Sequence, residues 1–400
     1  MQIPLVRTLC PSWRRNTAGQ IRKGTRLVSS RKRKADAGGS TKRYTGIYEQ
    51  IYDFANLERA YKKARRCKRY RNEVLRYSRN LEENLINLQN HLIWHSYEQG
   101  IYRTFYVYEP KKRLISALPF ADRVAQHAIN NILEPLIDRR FYYHSYACRK
   151  EKGMHKASEV LTKWLYDETF DGKPLYAIKA DIHHYFQSID HERLKATIRR
   201  IIKDEEALAL LDKIIDNVGT DGKGIPVGNL TSQLFANLYL DRMDKYLKET
   251  LHVRHYIRYM DDFVILSPDK AYLRDLLQKI EFFLASELGL LLNPKTTILN
   301  CKNGVDFCGY RHFTDHKKVR KTSIRRMKRT IRAYRKGIIS EERFAKALQS
   351  WLGHIQHADA YLLREGMLRR LEGAREERQA ASAAAQIANE RKEGDEWKMQ

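Results

Sequence analysis

Residues 255–266 read His255-Tyr-Ile-Arg-Tyr259-Met260-Asp261-Asp262-Phe263-Val-Ile-Leu266. The stretch is apolar and β-prone on both sides of two adjacent carboxylates. It predicts a hairpin over 253–267 with the acids at its tip. Two crowded, partly desolvated carboxylates repel each other, and that cost calls for a nearby cation. An exposed turn, where Asp is common, is the plain alternative; the apolar flanks count against it.

Eighty residues upstream lies Ala177-Ile-Lys-Ala-Asp181-Ile182-His-His-Tyr-Phe186. Asp181 ends an apolar strand predicted over 174–180. A lone strand-end Asp is usually a cap. Beside Asp261 it supplies a second carboxylate from a neighbouring strand. Hard divalent cations such as Mg²⁺ take oxygen ligands of this kind and leave positions for substrate phosphates. Two such ions about 4 Å apart can activate one oxygen and stabilise another as it leaves in an in-line displacement.

The 400 residues carry 75 Lys and Arg against 48 Asp and Glu, a formal net charge of +27. The excess sits in three runs. Residues 1–43, 59–79 and 311–336 hold twelve, ten and twelve basic residues, each against a single acid. The rest of the chain is close to neutral. Three cationic segments on a neutral body suit a polyanion, because each phosphate contact releases condensed counterions. Any one run alone would read as a solvated helix face. With no apolar stretch of roughly 18 residues, no membrane span is expected. The five Cys are scattered and form no metal-binding pair or disulfide framework, which suits a reducing compartment and predicts a cytoplasmic protein.

Along the chain, residues 1–43 lack periodicity and read as a flexible basic arm; their acid-poor, Arg-rich make-up also suits a transit peptide. Helical spacing runs over 47–100, a hairpin over 102–118 turns at Glu109-Pro110-Lys111, and a helix follows from Ala121 to about Ile137. Helices are predicted over 191–216, 229–250 and 270–288, strands over 296–314, and a basic helical bundle over 322–371. The Ala- and charge-rich residues 373–400 read as a tail, a loose helix or disordered.

Taken in order, these stretches resemble the reverse transcriptases. Tyr259-Met-Asp-Asp262 matches the family's YxDD box, and Asp181 matches the motif carrying its first catalytic aspartate. Ile225-Pro-Val-Gly228-Asn-Leu-Thr-Ser232-Gln233, Asn293-Pro-Lys295 and Phe307-Cys-Gly-Tyr310 match later blocks. Lys112-Arg113-Leu-Ile-Ser, Asp122-Arg-Val-Ala-Gln126, and Tyr146-Ala-Cys-Arg149 through Gly153-Met-His155 match the fingers blocks. The third block departs from the Gln-Gly-x-x-x-Ser-Pro of retroviral, retron and group II intron enzymes. Its aliphatic-Gly and Ser-Gln form looks like the reverse transcriptases of diversity-generating retroelements, as do Leu-Thr-Ser-Gln-Leu-Phe-Ala-Asn237 and Arg320-Lys-Thr-Ser323.

The resemblance implies an α+β right-hand polymerase. Its fingers would span 44–173 with the first palm elements, an antiparallel-sheet palm 174–315, and an α-helical thumb 316–372. The arm 1–43 and tail 373–400 lie outside. The implied activity is RNA-directed DNA polymerisation, error-prone opposite template adenines, serving mutagenic retrohoming. A retron or group II intron-type enzyme, or an inactive RNA-binding palm protein, is the alternative. The implied partners are an RNA template, a DNA primer, dNTPs, a structured template-repeat RNA and an oligomeric accessory variability protein, with no membrane. The source would be bacterial, archaeal or phage.

Residue roles carry over by position. Asp181 and Asp261, with the Ile182 carbonyl and Asp262, would hold two Mg²⁺ (Mn²⁺ as a substitute). Arg113 with Lys111 or Lys112 would grip the triphosphate, Phe186 would gate the sugar, and Lys295 would give a proton to pyrophosphate. Val227, Gly228 and Gln233 would line the nascent pair, with Gly228 admitting close backbone approach. Arg149, Lys317, Lys318, Arg320, Lys321, Arg325, Arg326, Lys328 and Arg329 would follow the nucleic acid.

Overall fold

The computed structural model describes residues 43–108, 113–169, 172–219 and 221–398. The basic arm up to residue 42, and the hairpin turn with Lys111 and Lys112, lie outside the described residues. Four helices open the chain: α1 (Tyr48–Tyr52), α2 (Phe54–Ala64), α3 (Asn72–Arg79) and α4 (Leu81–Ile93). Asp53 caps α2 by accepting from the Asn56 amide at 3.0 Å. Leu57, Ala60, Tyr61 and Ala64 form its buried stripe, while Arg59, Lys62 and Lys63 stay in solvent. The second cationic run is thus largely the wet side of α2 and α3.

Strands β1 (Arg103–Val107) and β2 (Arg113–Ala117) pair antiparallel, with Val107 opposite Arg113. Helix α5 (Phe120–Asp138) then packs along α2, and α6 (Met154–Thr169) leads into the palm.

The palm comprises β3 (Tyr176–Ala180), α7 (Tyr185–Ser188), α8 (His191–Arg199), α9 (Glu205–Asp216), α10 (Leu230–Lys245), β4 (His255–Tyr259), β5 (Asp262–Ser267), α11 (Lys270–Phe283) and β6 (Thr297–Asn300). Its four strands run antiparallel in the order β4-β5-β3-β6. Both faces are covered, so the strands are apolar almost throughout. Ile178, Ala180, Tyr256, Phe263 and Ile265 join the main core. Ala177, Ile257, Val264 and Leu266 join a second core with Leu161 and Leu165 of α6. The register sets Ala180 opposite Phe263 and Tyr259 opposite Asp262. Asp181 therefore leaves β3 at the sheet end where the β4–β5 turn lies.

The strand-like stretch 296–314 divides between two sheets. β6 belongs to the palm, whereas β7 (Val305–Phe307), β8 (Tyr310–His312) and β9 (Lys317–Val319) form a three-stranded sheet. Gly304, at φ 82°, makes the break. A Cβ there would come within 2.8 Å of Arg311 Nε and 2.9 Å of the Phe313 ring.

Three helices follow the three-stranded sheet. Helix starts with α12 (Lys321–Arg335) and continues through α13 (Glu341–Ile355) and α14 (Tyr361–Lys398), while Lys317–Val319 is strand. At the far end α14 runs straight past residue 372. Leu371 and Ala374 both sit in the thumb core. Arg378 donates to the carbonyls of Tyr334 (3.2 Å) and Ile339 (3.1 Å), so the first turns of the expected tail are thumb.

Candidate active site

The β4–β5 hairpin closes through Met260 and Asp261. Met260 takes a left-handed backbone, φ 58°, unusual for a residue with a Cβ. Burial pushes the Asp261 carboxyl above the ordinary carboxylate range. Asp181 adds to that push, while Arg113 and Lys179 oppose it. Asp181, just past β3, and Arg113 of the fingers hairpin are thus both within electrostatic reach of Asp261 in the β4–β5 turn.

Asp181 is anchored from a third direction. Its main-chain oxygen accepts from the Asn293 amide at 2.8 Å, and its Oδ2 accepts from Asn293 Nδ2 at 3.2 Å. The Asn293-Pro-Lys295 turn is closed by Asn293 Oδ1 on the Lys295 amide, 3.0 Å, and leaves Lys295 exposed. Ile182 is buried and bridges to Leu292.

Asp262 behaves differently. Its carboxylate is ion-paired with Lys179 of β3. Burial pulls the Lys179 ammonium down to about 8. Among the described residues, no three His, Cys, Asp or Glu side chains converge as a metal-holding group. Of the expected ligand set of Asp181, Ile182, Asp261 and Asp262, the Asp181–Asp261 pair stands beside an Asp262 that is ion-paired with Lys179. That pair is still a donor set suited to a hard cation: two oxygen ligands, one raised in proton affinity by burial and by its neighbour.

Phe186 sits on the short helix α7, half-buried, edge-on to Tyr185 with centroids 5.6 Å apart. Its carbonyl accepts from the Ile225 amide at 2.8 Å, which joins the gate position to the 225–229 loop. That loop is tied to the fingers twice. The Ser116 amide donates to the Val227 carbonyl at 3.1 Å. Asn229 Nδ2 donates to the Tyr102 hydroxyl at 2.6 Å. Gly228, at φ 126°, would place a Cβ 2.9 Å from the Ser116 carbonyl oxygen, so glycine is required by the fingers strand itself. Gly228 and Gln233 then open onto a cleft of about 810 Å³ with Lys68, Arg71, Arg103 and Arg123 on its other walls.

Residues 108–312 match the family described as reverse transcriptase (RNA-dependent DNA polymerase), just over half of the chain. The chain belongs to the reverse transcriptase family.

This reverse transcriptase is 28% identical over 249 residues to Protein YkfC of Escherichia coli K12, covering 51% of this chain and 65% of that one. It is 26% identical over 160 residues to the group II intron-encoded protein LtrA of Lactococcus lactis subsp. cremoris, covering 38% of this chain and 26% of that one. It spans less than two thirds of either relative. Among solved structures, the apo telomerase of Candida tropicalis, truncated from its C-terminal domain, aligns with 58% of this chain and 59% of that chain, at 16% identity and a TM-score of 0.40.

The reverse transcriptase's expected nucleic-acid residues fall into separate groups. Lys318, Lys321, Arg325 and Arg329 are exposed. Arg320 lies 3.4 Å from Asp306. Arg326 lines a cavity with His155 and Trp351, while Lys328 faces a groove with Arg332, Arg335 and Arg370. Two others are engaged inside the protein. Arg149 is clamped by Asp138, Nε to Oδ1 2.5 Å, and donates through Nη1 to the carbonyls of Tyr142 and Ser145, both 2.9 Å. Lys317 donates to Ser158 Oγ at 3.1 Å and lies over the Tyr310 ring. Their side chains pin the chain between α5 and α6, and the joint below the thumb.

Sequence reasoning missed Lys179 and Arg258. Each is a single cation inside an apolar strand, and that pattern is itself a sign of a buried charge pair.

Proposed function

We propose that the protein polymerises DNA on an RNA template, in the error-prone manner of diversity-generating retroelement enzymes. Asp181 and Asp261, with the Ile182 carbonyl, would hold Mg²⁺ or Mn²⁺, which supplies Lewis-acid activation of the primer hydroxyl and the nucleotide phosphates. Arg113 stands on the fingers side to meet the triphosphate. Phe186 packs where a ribose 2′-hydroxyl would clash, and Lys295 is exposed for proton delivery to pyrophosphate.

The observation that carries the error-prone reading is Val227. Its backbone is fixed by Ser116 and its aliphatic side chain is half-buried between Ile225 and Gly228. No hydrogen bond from that side chain can reward a correct pair, so correct and incorrect pairs differ less in the transition state. Losing about 1–3 kcal/mol of polar discrimination costs about 10- to 200-fold in selectivity. The resemblance nominates template adenine as the misread base. It brings with it a template-repeat RNA, an oligomeric accessory variability protein, mutagenic retrohoming and a cytoplasmic setting. The likeness to LtrA favours a second reading, a group II intron-type enzyme of ordinary fidelity.

Sequencing cDNA made on one template by wild type and Val227→Gln separates the two. We expect wild-type errors concentrated at template adenines and reduced by Val227→Gln. Equal error rates at all four bases in the wild type would leave the intron-type reading. Asp261→Asn should abolish extension while sparing RNA binding; retained extension would overturn the site.

A further inference from the structure

Arg258 lies in the middle of β4 with none of its surface exposed, and so does its partner Asp244 on α10. The guanidinium meets the carboxylate in a two-pronged pair, Nε to Oδ1 at 2.7 Å and Nη2 to Oδ2 at 2.5 Å. The Tyr256 hydroxyl donates to the same Oδ1 at 2.5 Å. A buried ion pair is weak evidence for stability, because well-packed apolar residues often serve as well. A fully buried Arg therefore calls for another reason.

The remaining nitrogen supplies it. Nη1 donates to the Met260 carbonyl at 2.9 Å and to Asn237 Oδ1 at 3.2 Å. Met260 is the residue in the left-handed region, and Asp261 is the next one along. Reversing the peptide between them would cost the Met260 carbonyl its buried donor. The main chain of Arg258 is held as well. Its amide donates to the His144 carbonyl and its carbonyl accepts from the Tyr146 amide, both at 3.0 Å. Asn237 is fixed in turn by donating to the Ala147 carbonyl at 2.8 Å. Arg258 is thus locked to α10 and to the 144–147 segment, and from there reaches one atom of the turn that carries Asp261.

We infer that Arg258 is the positioning residue for Asp261: through the Met260 carbonyl it holds the strained turn in the one arrangement that presents the Asp261 carboxylate towards Asp181. This rests on the reading of Asp181 and Asp261 as the metal-holding pair. Arg258 touches neither substrate nor metal. Its effect is on where a ligand points, the kind of outer contact whose removal costs about 10- to 100-fold in metal affinity.

Arg258→Lys tests it, because Lys keeps a cation against Asp244 but cannot also reach the Met260 carbonyl in the same geometry. Mn²⁺ binding to the full chain, followed by electron paramagnetic resonance without nucleotide, is the readout, alongside thermal unfolding. Wild type should bind Mn²⁺, and Asp261→Asn should remove that binding. Arg258→Lys should stay folded and bind Mn²⁺ about 10- to 100-fold more weakly. Adding Met260→Gly to Arg258→Lys should restore part of the affinity, because glycine adopts the left-handed backbone without a Cβ penalty. A merely structural Arg258 would give no such rescue. If Arg258→Lys does not fold, Asn237→Ala, which removes the second acceptor of Nη1 and spares the Asp244 pair, should weaken Mn²⁺ binding in the same direction. Wild-type affinity in the folded variants would overturn the inference while leaving the metal pair intact. Mn²⁺ binding that ignores Asp261→Asn would overturn the metal pair, and the inference with it.

Discussion

Lys179 and Asp262, the second aspartate of the Tyr-Met-Asp-Asp turn, are diagonal neighbours in the palm sheet and form an ion pair. Lys179 is opposite Val264, two residues beyond Asp262 on the same pleat. The cation that two crowded carboxylates call for is therefore supplied from inside the sheet. Lys179→Met should destabilise the protein by about 2–4 kcal/mol, since it leaves a largely buried carboxylate without a partner. Lys179→Met/Asp262→Asn should cost clearly less than the sum of the two single changes. Urea unfolding of the four proteins gives the coupling; additive losses would show that the two do not interact.

Phe186, the proposed sugar gate, is joined to the loop carrying Val227 by the Ile225 amide donating to its carbonyl. Phe186→Val should raise rNTP relative to dNTP incorporation in single-turnover extension. An unchanged ratio would reduce Phe186 to core packing.

One buried histidine, His312, and two half-buried ones, His127 and His144, contribute to the response to acid. Burial pulls His312 down to about 3, with Lys317 adding to the effect, and pulls His127 and His144 down to about 4. In the unfolded chain each would take up its proton near its ordinary value of about 6.5. Below that pH the unfolded state holds more protons than the folded one, so stability is complete above about 6.5 and declines as pH falls towards 4. Urea midpoints at pH 7.5 and 5 should show this fall, and His312→Gln should make it shallower. A steeper fall in the variant would mean the histidine is protonated in the fold.

Arg149 and the exposed α12 cations should behave oppositely. Arg149→Ala breaks a clamp on a partly exposed Asp138 and should cost about 2–3 kcal/mol of stability, with the salt dependence of RNA–DNA binding unchanged. Changing Lys321, Arg325 and Arg329 to Gln should leave unfolding nearly unaltered. The slope of log affinity against log salt should then flatten by about 0.7–0.9 for each phosphate that the variant no longer neutralises. Equal salt slopes in the triple variant and wild type would move the duplex off this face of α12.

The end of the palm sheet that carries Asp181 and Asp261 was readable because two apolar strands each run into an Asp, and strand patterns survive without knowledge of partners. What stayed hidden depends on register and on distant neighbours. Lys179 meets Asp262 only once β3 is aligned on β5. A need for glycine at 228 comes from Ser116, on a strand more than a hundred residues earlier. Arg149 sits in a basic-looking block, yet its donors are engaged by the Asp138 carboxylate and by main-chain carbonyls. Lys317–Val319 is too short to show a two-residue period, and beyond 372 helix propensity without an apolar stripe left a loose helix and disorder both open.

The thumb's separate interior has a consequence for how the protein breathes. Phe344, Trp351, Met327, Ile331 and Leu371 pack among themselves and share no core with the palm. The bundle is moored below by a few polar contacts: Lys317 and Asp359 exchange hydrogen bonds at 2.7 and 2.8 Å, and the Tyr310 hydroxyl donates to the His354 carbonyl at 2.8 Å. Such a lobe is a cooperative unit of its own, and its amides should exchange with deuterium together, at lower protection than those of β3 and β5. If the protein polymerises as proposed, letting go of a finished duplex would need only this lobe to loosen, while the sheet that carries Asp181 and Asp261 would keep its shape for the next round.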